Sequence, residues 1–286
     1  MLYSGKSILD IANANNFAIP AFNISDWAMF TGVMDISEEK DAPLILGIHP
    51  DEVRHVGADM ITAVTSRAHR SRVPIAIHWD HGAGYAEILT AIRIGFTSEM
   101  IAGSMLPFAD NVALTRKVVE TAHAVGLSVE AELGTIGATD GEAEEGAEAI
   151  IYTDPDDAVT FVRETGVDSL AIAIGTYHGI YPPTLKPELK LDLLKDIKEK
   201  VEIPLVLHGG SNNPDDEIAQ ATKLGINKVN ISSDIKVAYH AKMREVLADG
   251  RLREPLTIQP PCIEAMKAVA GHKIDLFNAA GKASLY

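Results

Sequence analysis

The chain has 286 residues, of which 47% are hydrophobic, and it carries a formal net charge of −15 with a pI near 5.0. A chain of this length can bury one large core, so a single domain spanning 1–286 is expected. Nucleic acids and acidic membranes bind clustered Lys and Arg, and the acidic balance therefore argues against both as partners. We expect a small-molecule ligand instead.

Cysteine usage and hydropathy indicate the compartment. Cys262 is the only cysteine, which excludes an internal disulfide and suits a reducing cytoplasm. The segment MLYSGKSILDIANANN has neither a basic start nor a long apolar stretch, and no run approaches the ~20 apolar residues that span a bilayer. A soluble cytoplasmic protein is the expectation.

Apolar, β-rich runs recur along the chain and predict strands. The runs lie at 17–23, 43–48, 73–79, 96–102, 127–133, 168–174, 203–208 and 226–232. The intervals indicate helices, as in 110–126 and 154–166, each with an Asp as N-cap and a Gly at its end. Since parallel strands buried on both faces read as near-continuous apolar runs, the pattern predicts an α/β fold of the TIM (β/α)8 barrel type. A doubly wound open sheet is the alternative, disfavoured because eight strands are visible.

Two segments depart from this rhythm. Residues 134–153 are rich in Gly, Ala and acid and have no apolar face to pin them to the barrel, so they predict either a mobile lid or a solvated acidic loop. After residue 240, the pattern predicts extra C-terminal helical segments around the Pro-rich stretch EPLTIQPP. This tail is expected to cover the barrel or to contact a neighbouring subunit.

Three histidines follow apolar runs, in VPIAIHWDH, LAIAIGTYHG and PLVLHGGS. The pattern places His81, His178 and His208 at the C-terminal mouth of three different strands. Three neutral nitrogen donors with a fourth position open for substrate match the ligand set of a catalytic zinc. A lone histidine after a strand is usually structural, but three at equivalent positions rarely coincide, so the sequence predicts a zinc enzyme.

Asp80 directly precedes His81. In an extended chain the two side chains leave on opposite sides, so that one ligates metal while the other faces substrate. Asp80 is then either a general acid–base group for carbon–carbon bond cleavage or a carboxylate that orients a ligating imidazole.

The segment HGGSNNPDDEI combines a strand end, two glycines, a serine and a helix start, and its backbone N–H groups can cradle a phosphate. The next strand ends in VNISSD and adds Asn230, Ser232 and Ser233. Loops after the seventh and eighth barrel strands are frequent phosphate sites. The alternative is that Gly-Gly before a helix is only a turn.

The motifs HWDHG, VEAELGTIG, DSLAIAIGTYHGIY, PLVLHGGS and KVNISSD occur in this order. With them the chain resembles the class II, zinc-dependent fructose-bisphosphate and tagatose-bisphosphate aldolases, from IPAFNISD to LFNAAGKA. The resemblance implies a lyase of carbohydrate metabolism that reversibly cleaves a ketose 1-phosphate or 1,6-bisphosphate into dihydroxyacetone phosphate and an aldehyde. It also implies Zn2+ as cofactor, a monovalent cation (Na+ or K+) near the phosphate, and a homodimer or homotetramer.

The resemblance further implies roles for individual residues. Zinc would be held by His81, His178 and His208, with Glu132 close to the metal as a further ligand. Asp80 would donate and accept the proton at the oxygen of the aldehyde carbon. The implied substrate-binding residues are Asn23, His49, Gly179, Gly209, Gly210, Ser211, Asn230, Ile231, Ser232 and Ser233.

The chain departs from the family pattern in the predicted mobile loop. The usual GGxED reads GATDG, so Asp140 stands in place of the glutamate that exchanges the carbon-bound proton. Glu142, Glu144 or Glu145 is the alternative for this catalytic base if the loop folds differently.

Three further departures lie near the predicted site. His49 replaces a small serine that faces the aldehyde half of the substrate in the family. Ala102 replaces an acid in MIAGS, and Asn212 replaces a glycine in GGSN. The last two changes are expected to loosen or reshape the metal and phosphate pockets.

The C-terminal region bears on the substrate. Related fructose-bisphosphate aldolases often carry an arginine near the start of the last helix, but no arginine follows Arg253 here. Lys267 is only a point-charge substitute, so an aldehyde half without phosphate is expected. A catalytically weakened sugar-phosphate-binding or regulatory paralogue is the alternative function. A zinc hydrolase is disfavoured because nothing in the sequence resembles the paired histidines on one strand that many barrel hydrolases use.

Overall fold

The computed structural model of the protein describes residues 1–139, 149–182, 184–185 and 187–286. Its strands are β1 (Ile19–Asn23), β2 (Leu44–Ile48), β3 (Ile75–Gly82), β4 (Ser98–Ile101), β5 (Ser128–Leu133), β6 (Gly137–Ala138), β7 (Ser169–Ile172), β8 (Tyr177–His178), β9 (Leu205–Leu207) and β10 (Ile226–Ile231). Its helices are α1 (Gly5–Ala14), α2 (Trp27–Glu39), α3 (Pro50–Val56), α4 (Ala58–His69), α5 (Tyr85–Ile94), α6 (Phe108–His123), α7 (Pro155–Thr165), α8 (Leu191–Lys200), α9 (Asp215–Lys223), α10 (Ser233–Val246) and α11 (Pro255–Leu276), followed by a 3₁₀ turn at Lys282–Leu285.

The strands other than β6 and β8 form a closed barrel in the order β1, β10, β9, β7, β5, β4, β3, β2, and all their pairings are parallel. Every residue of these strands is buried, because the barrel interior covers one face and the helices cover the other. Each barrel strand overlaps one predicted apolar run. The predicted TIM barrel is therefore confirmed.

Capping residues in the sequence predict the ends of α7 correctly, but they do not predict the ends of α6. The side chain of Asp154 caps α7, and Gly166 ends it in the left-handed conformation, as predicted. By contrast, α6 begins two residues before Asp110, which lies in its first turn and does not cap it. The helix also ends at His123, before the predicted terminal glycine.

The two chain ends close different parts of the barrel. At the N-terminal end of the strands, α1 packs so tightly that a Cβ on Gly5 would meet the Oγ of Ser98 and of Ser128. At the other end of the chain, α11 packs against α10 and α2 and supplies a predicted extra C-terminal helix. The Pro-rich stretch lies within the first turns of α11, which continues through Pro260 and Pro261, and not between helical segments. None of the helices among the described residues combines the length and apolar character that a membrane span requires.

The described ends of segment 134–153 are anchored to the barrel, contrary to the expectation that nothing pins them. Ile136 is buried, and β6 pairs with β8 in a small parallel sheet. Thr135 and Ile151 form an antiparallel bridge that closes the base of the segment. The remaining residues, 140–148, lie outside the described residues.

Candidate active site

The structure brings the three predicted histidines together. His81 lies near the end of β3, His178 ends β8, and His208 directly follows β9. One ring nitrogen of each lies within 4.8 Å of the others, and the ring centroids of His81 and His208 are 4.8 Å apart. Three imidazole nitrogens at these separations fit a single divalent ion that keeps a further position open.

Asp80 and His81 do not leave the strand on opposite sides as predicted. His81 has φ = +58°, and the pairing of β3 with β4 shifts register between Trp79 and Gly82. The left-handed residue breaks the alternation of the strand, so both side chains face one pocket. Nε2 of His81 lies 3.9 Å from Oδ1 of Asp80. This distance exceeds a hydrogen bond and does not support the alternative that Asp80 orients the imidazole.

Two amide groups hold the Asp80 carboxylate instead. Asn23 donates from Nδ2 to Oδ2 at 2.6 Å, and Asn230 donates from Nδ2 to Oδ1 at 3.1 Å. Burial alone would raise the pKa of Asp80, but the nearby imidazole of His81 and the ammonium of Lys228 hold it below its usual range. The carboxylate is therefore ionised at neutral pH and ready to accept a proton.

His208 is held by a carboxylate at each ring nitrogen. Glu132 lies 2.8 Å from Nδ1, and Glu130 lies 2.9 Å from Nε2. Burial alone would lower the pKa of His208, but these two hydrogen bonds raise it. A metal ion bound at His208 therefore has to displace one of the carboxylates.

Glu132 is placed differently from its predicted role as a metal ligand. It contacts the ring of His208 and accepts a hydrogen bond from the hydroxyl of Ser104 at 2.7 Å, and it is not part of the three-histidine group. The geometry supports a role in orienting His208, as carboxylates do for many ligating imidazoles.

A charged layer beneath the histidines was missed by the sequence reasoning. The Nζ of Lys228 lies 2.8 Å from each oxygen of Glu130 and 3.3 Å from Nε2 of His78, whose Nδ1 contacts the Ser98 hydroxyl. Burial and Lys228 lower the pKa of His78 to about 3, so this imidazole is neutral. The sequence signal for this layer was that Lys228 and Glu130 lie inside the buried strands INKVNI and SVEAEL. A charge buried in such a strand needs a partner of opposite charge.

Most of the predicted phosphate-binding residues line the same pocket as Asp80. The pocket-lining residues are Asn23, Asp80, His81, His178, Gly179, Gly209, Ser211, Asn230, Ser232, Ser233 and Lys236. Lys236 was not predicted, although it lies one helical turn after Ser233. The helix whose N-terminus reaches the pocket is α10, not α9 as the HGGSNNPDDEI pattern suggested, since Ser233 and Lys236 of α10 line the pocket and no residue of α9 does.

Three residues in the predicted substrate-binding set, Gly210, Ile231 and His49, do not line this pocket. Gly210 packs against β10, where a Cβ would meet the side chain of Val229 and the backbone of Asn230. Ile231 is fully buried in the barrel wall. Gly210 and Ile231 support the neighbouring loop residues rather than face the pocket.

His49 lies beside the histidine group and outside the pocket lining. It caps α3, and its Nδ1 accepts a hydrogen bond from the backbone N–H of Asp51 at 3.2 Å. Nε2 therefore carries the proton of the neutral ring, and this buried nitrogen has no hydrogen-bond partner among the described residues. The ring centroid lies 6.4 Å from that of His81.

The predicted carbon bases all belong to the acidic segment 134–153. Asp140 and Glu142, with the alternatives Glu144 and Glu145, lie outside the described residues.

A closed parallel barrel with a pocket at the C-terminal end of its strands, beside three histidines that could hold a metal ion, is the arrangement of a barrel enzyme. The chain belongs to the class II fructose-bisphosphate aldolase family, whose model, described as fructose-bisphosphate aldolase class-II, matches residues 3–282. The protein is therefore a lyase of the aldolase type. Members of this family are generally metal-dependent, in agreement with the three histidines.

Solved structures agree with this assignment. The chain is similar to the YdjI aldolase of Escherichia coli K12, with 33% identity and a TM-score of 0.86 over 99% of this chain and 100% of that chain. It is also similar to a Coccidioides immitis protein provisionally assigned as a fructose-1,6-bisphosphate aldolase, with 27% identity and a TM-score of 0.87 over 99% and 98% of the two chains. The fructose-bisphosphate aldolase Fba of Campylobacter jejuni, at 23% identity and a TM-score of 0.80 over 98% and 97%, shares the fold.

Proposed function

We propose that the protein is a zinc-dependent aldolase that reversibly cleaves a ketose 1-phosphate or 1,6-bisphosphate into dihydroxyacetone phosphate and an aldehyde. The observation that carries the proposal is that Asp80, two of the three clustered histidines and the two predicted phosphate loops line one pocket, with His208 completing the histidine group. A metal site, an ionised carboxylate and an anion cradle are the three parts that such a cleavage requires.

The metal would be held by His81, His178 and His208, and whichever of Glu132 and Glu130 it does not displace would orient the ring of His208. When bound, zinc supplies Lewis-acid charge that stabilises the negative charge developing on the three-carbon fragment. The donor set favours zinc because three neutral imidazoles are typical of its catalytic sites. A monovalent cation near the phosphate stays a prediction.

Asp80 carries the proton of the cleavage step. Its carboxylate accepts the proton of the substrate hydroxyl on the carbon that becomes the aldehyde, while the carbon–carbon bond breaks and its electron pair stays on the three-carbon fragment. Asn23 and Asn230 fix the carboxylate so that it is oriented before substrate binds. In the reverse direction the protonated Asp80 returns the same proton to the new alkoxide oxygen.

The loops at 209–211 and 230–233 would bind the phosphate of the three-carbon fragment. They combine backbone N–H groups, serine hydroxyls and the N-terminus of α10, which carries a partial positive charge. Lys236 adds a positive side chain at the same pocket. Local contacts of this kind are needed because the net charge of −15 repels an anionic sugar at long range.

The aldehyde half would meet His49, whose protonated Nε2 offers a buried donor. An acceptor such as a hydroxyl or a carboxylate oxygen on the aldehyde would satisfy it. A phosphate at the far end is not required by this contact, in line with the missing arginine after Arg253. The homodimer or homotetramer and the cytoplasmic location stay predictions.

The test is cleavage of a panel of phosphorylated ketoses by the zinc-loaded protein, with released dihydroxyacetone phosphate measured through a coupled dehydrogenase. Protein treated with a chelator and then reloaded with zinc is the matched control. Chelator-sensitive release identifies the reaction and the preferred sugar. Binding of sugar phosphates without release from any member of the panel contradicts the proposal and favours the sugar-phosphate-binding alternative.

A further inference from the structure

We infer that Asn212 is a positioning residue that couples the phosphate loop to the segment carrying His178, so that a phosphate ligand and the metal ion strengthen each other's binding. The inference rests on the metal and phosphate sites of the proposed function. It replaces the expectation that Asn212, which stands in place of a family glycine, loosens these sites.

The backbone of Asn212 fixes the phosphate loop to the start of α10. Asn212 has φ = +57°, a left-handed conformation that asparagine tolerates better than most residues other than glycine. Its N–H donates to Oδ1 of Asp234 at 3.0 Å, and the N–H of Asp234 donates to Oγ of Ser211 at 3.2 Å. Ser211 is itself a pocket-lining residue, so a ligand that shifts it also shifts Asn212.

The side chain of Asn212 reaches the segment that carries His178. Its Oδ1 accepts a hydrogen bond from the backbone N–H of Tyr181 at 3.0 Å. The hydroxyl of Tyr181 accepts from the backbone N–H of Tyr177 at 2.8 Å and donates to Oδ1 of Asn213 at 3.2 Å. Tyr181 is thereby bonded to the 212–213 turn through its backbone and its hydroxyl, and the same hydroxyl holds Tyr177, so residues 177–181, with His178 among them, are tied to this turn through Tyr181.

The connection is also anchored on its far side. Oδ2 of Asp234 lies 3.1 Å from Nζ of Lys273, a buried lysine on α11. Because Asp234 is held by this charge, a displacement of the phosphate loop is passed to Tyr181 through Asn212 and not absorbed by α10. Such a contiguous set of hydrogen bonds is a physical route for coupling between two sites.

The positioning effect can be separated from the backbone requirement at residue 212. Glycine adopts the same left-handed φ but lacks the Oδ1 acceptor, so Asn212→Gly retains the turn and removes the contact with Tyr181. Asn212→Asp retains both the turn and an acceptor. Asn16→Gly makes the same chemical change at an exposed residue with φ = +52°, which lies outside the site and serves as the matched control.

The test measures the affinity for Co2+ by its visible absorption, in the presence and absence of inorganic phosphate. Binding coupling is reciprocal, and coupling factors of about 5 to 150 are typical. We expect phosphate to tighten Co2+ binding about tenfold in the wild type and in Asn16→Gly, but less than about twofold in Asn212→Gly. Asn212→Asp should keep most of the factor, because any repulsion of phosphate by the added charge cancels in the ratio.

The outcomes separate this inference from the proposed function. An unchanged coupling factor in Asn212→Gly, or the absence of coupling in the wild type, overturns the inference and leaves the metal site intact. Failure of the wild type to bind Co2+ at the histidines overturns the metal site and the inference together. A general loss of stability in Asn212→Gly would lower the affinity for Co2+ both with and without phosphate. It would not abolish the ratio of these two affinities, which is the coupling factor.

Discussion

Lys228 and Glu130 form an ion pair that the barrel encloses completely, with the lysine Nζ 2.8 Å from both carboxylate oxygens. One of these oxygens also lies 2.9 Å from Nε2 of His208. The three-histidine group thus rests on a buried charge pair and not on an apolar layer. Neither partner can be removed alone without leaving the other charge unpaired.

Lys228→Met should lower the free energy of unfolding by about 3 to 5 kcal/mol, because Glu130 becomes an uncompensated buried charge. Urea unfolding followed by circular dichroism measures the change. The double variant Lys228→Met with Glu130→Gln should recover a large part of the loss, since no charge is left behind. A loss below about 1 kcal/mol in the single variant would show that the pair is not a buried ion pair in solution.

Asp80→Asn should reduce cleavage by about 10²- to 10⁴-fold, the usual contribution of a general acid–base group. The amide cannot accept the proton, yet it keeps the size of the carboxylate between Asn23 and Asn230. Zinc binding should persist, because the three histidines are unchanged. Steady-state kinetics and a zinc titration check the two halves of this prediction, and near-normal turnover would rule out the role given to Asp80.

His49→Asn should raise KM for the aldehyde about tenfold in the condensation direction, since the Nε2 donor is lost. Asparagine remains a good cap for α3, so the helix is retained. His49→Ala loses both the cap and the donor, and comparison of the two variants separates helix stability from substrate binding. KM for dihydroxyacetone phosphate should change in neither, and equal effects on both substrates would argue against contact with the aldehyde half.

Glu99 predicts a pH dependence of stability. It lies in β4 with no exposed surface and no hydrogen-bond partner among the described residues, and burial raises its pKa to about 8 from 4.5. The folded protein therefore retains a proton that the unfolded chain releases. The resulting stabilisation is full below the unfolded pKa and is lost as pH rises to about 8, with an upper limit of about 5 kcal/mol.

Glu99→Gln removes this titration while keeping the side-chain shape. We expect the wild type to lose stability between about pH 5 and about pH 9 by more than the variant does, and the two to differ most at the alkaline end. Urea midpoints at both pH values measure the difference. Parallel pH profiles for the two proteins would show that Glu99 does not titrate in this range.

The barrel was predictable from sequence because each of its strands is buried on both faces, which produces an unbroken apolar run such as LILGI or IAI. Helix ends were less predictable. Asp154 caps its helix as expected, but Asp110 does not, because the chain enters α6 two residues earlier than the Asp suggests. The start of α6 has no side-chain cap, so a capping residue could not have located it from sequence.

The site was predictable where strand ends carry polar residues, as at His81, His178 and His208. It was not predictable where the backbone leaves regular geometry. The φ of +58° at His81 places Asp80 and His81 in one pocket, and nothing in the sequence HWDHG indicates this left-handed conformation. Glu130 and Lys228 were missed because alternation in a buried strand does not reveal which interior charges meet across the barrel.

The small sheet of β6 and β8 has a consequence for redesign of this enzyme. Gly137 and Ala138 pair with Tyr177 and His178, and the N–H and hydroxyl of Thr139 both donate to the carbonyl of His178. His178, a candidate metal ligand, and Thr139, the last described residue before 140–148, therefore share one set of backbone bonds. A loop graft from a relative should be cut before Gly137 and transferred with its own partner strand, because a graft at residue 140 alone would join a foreign loop to the native support of His178.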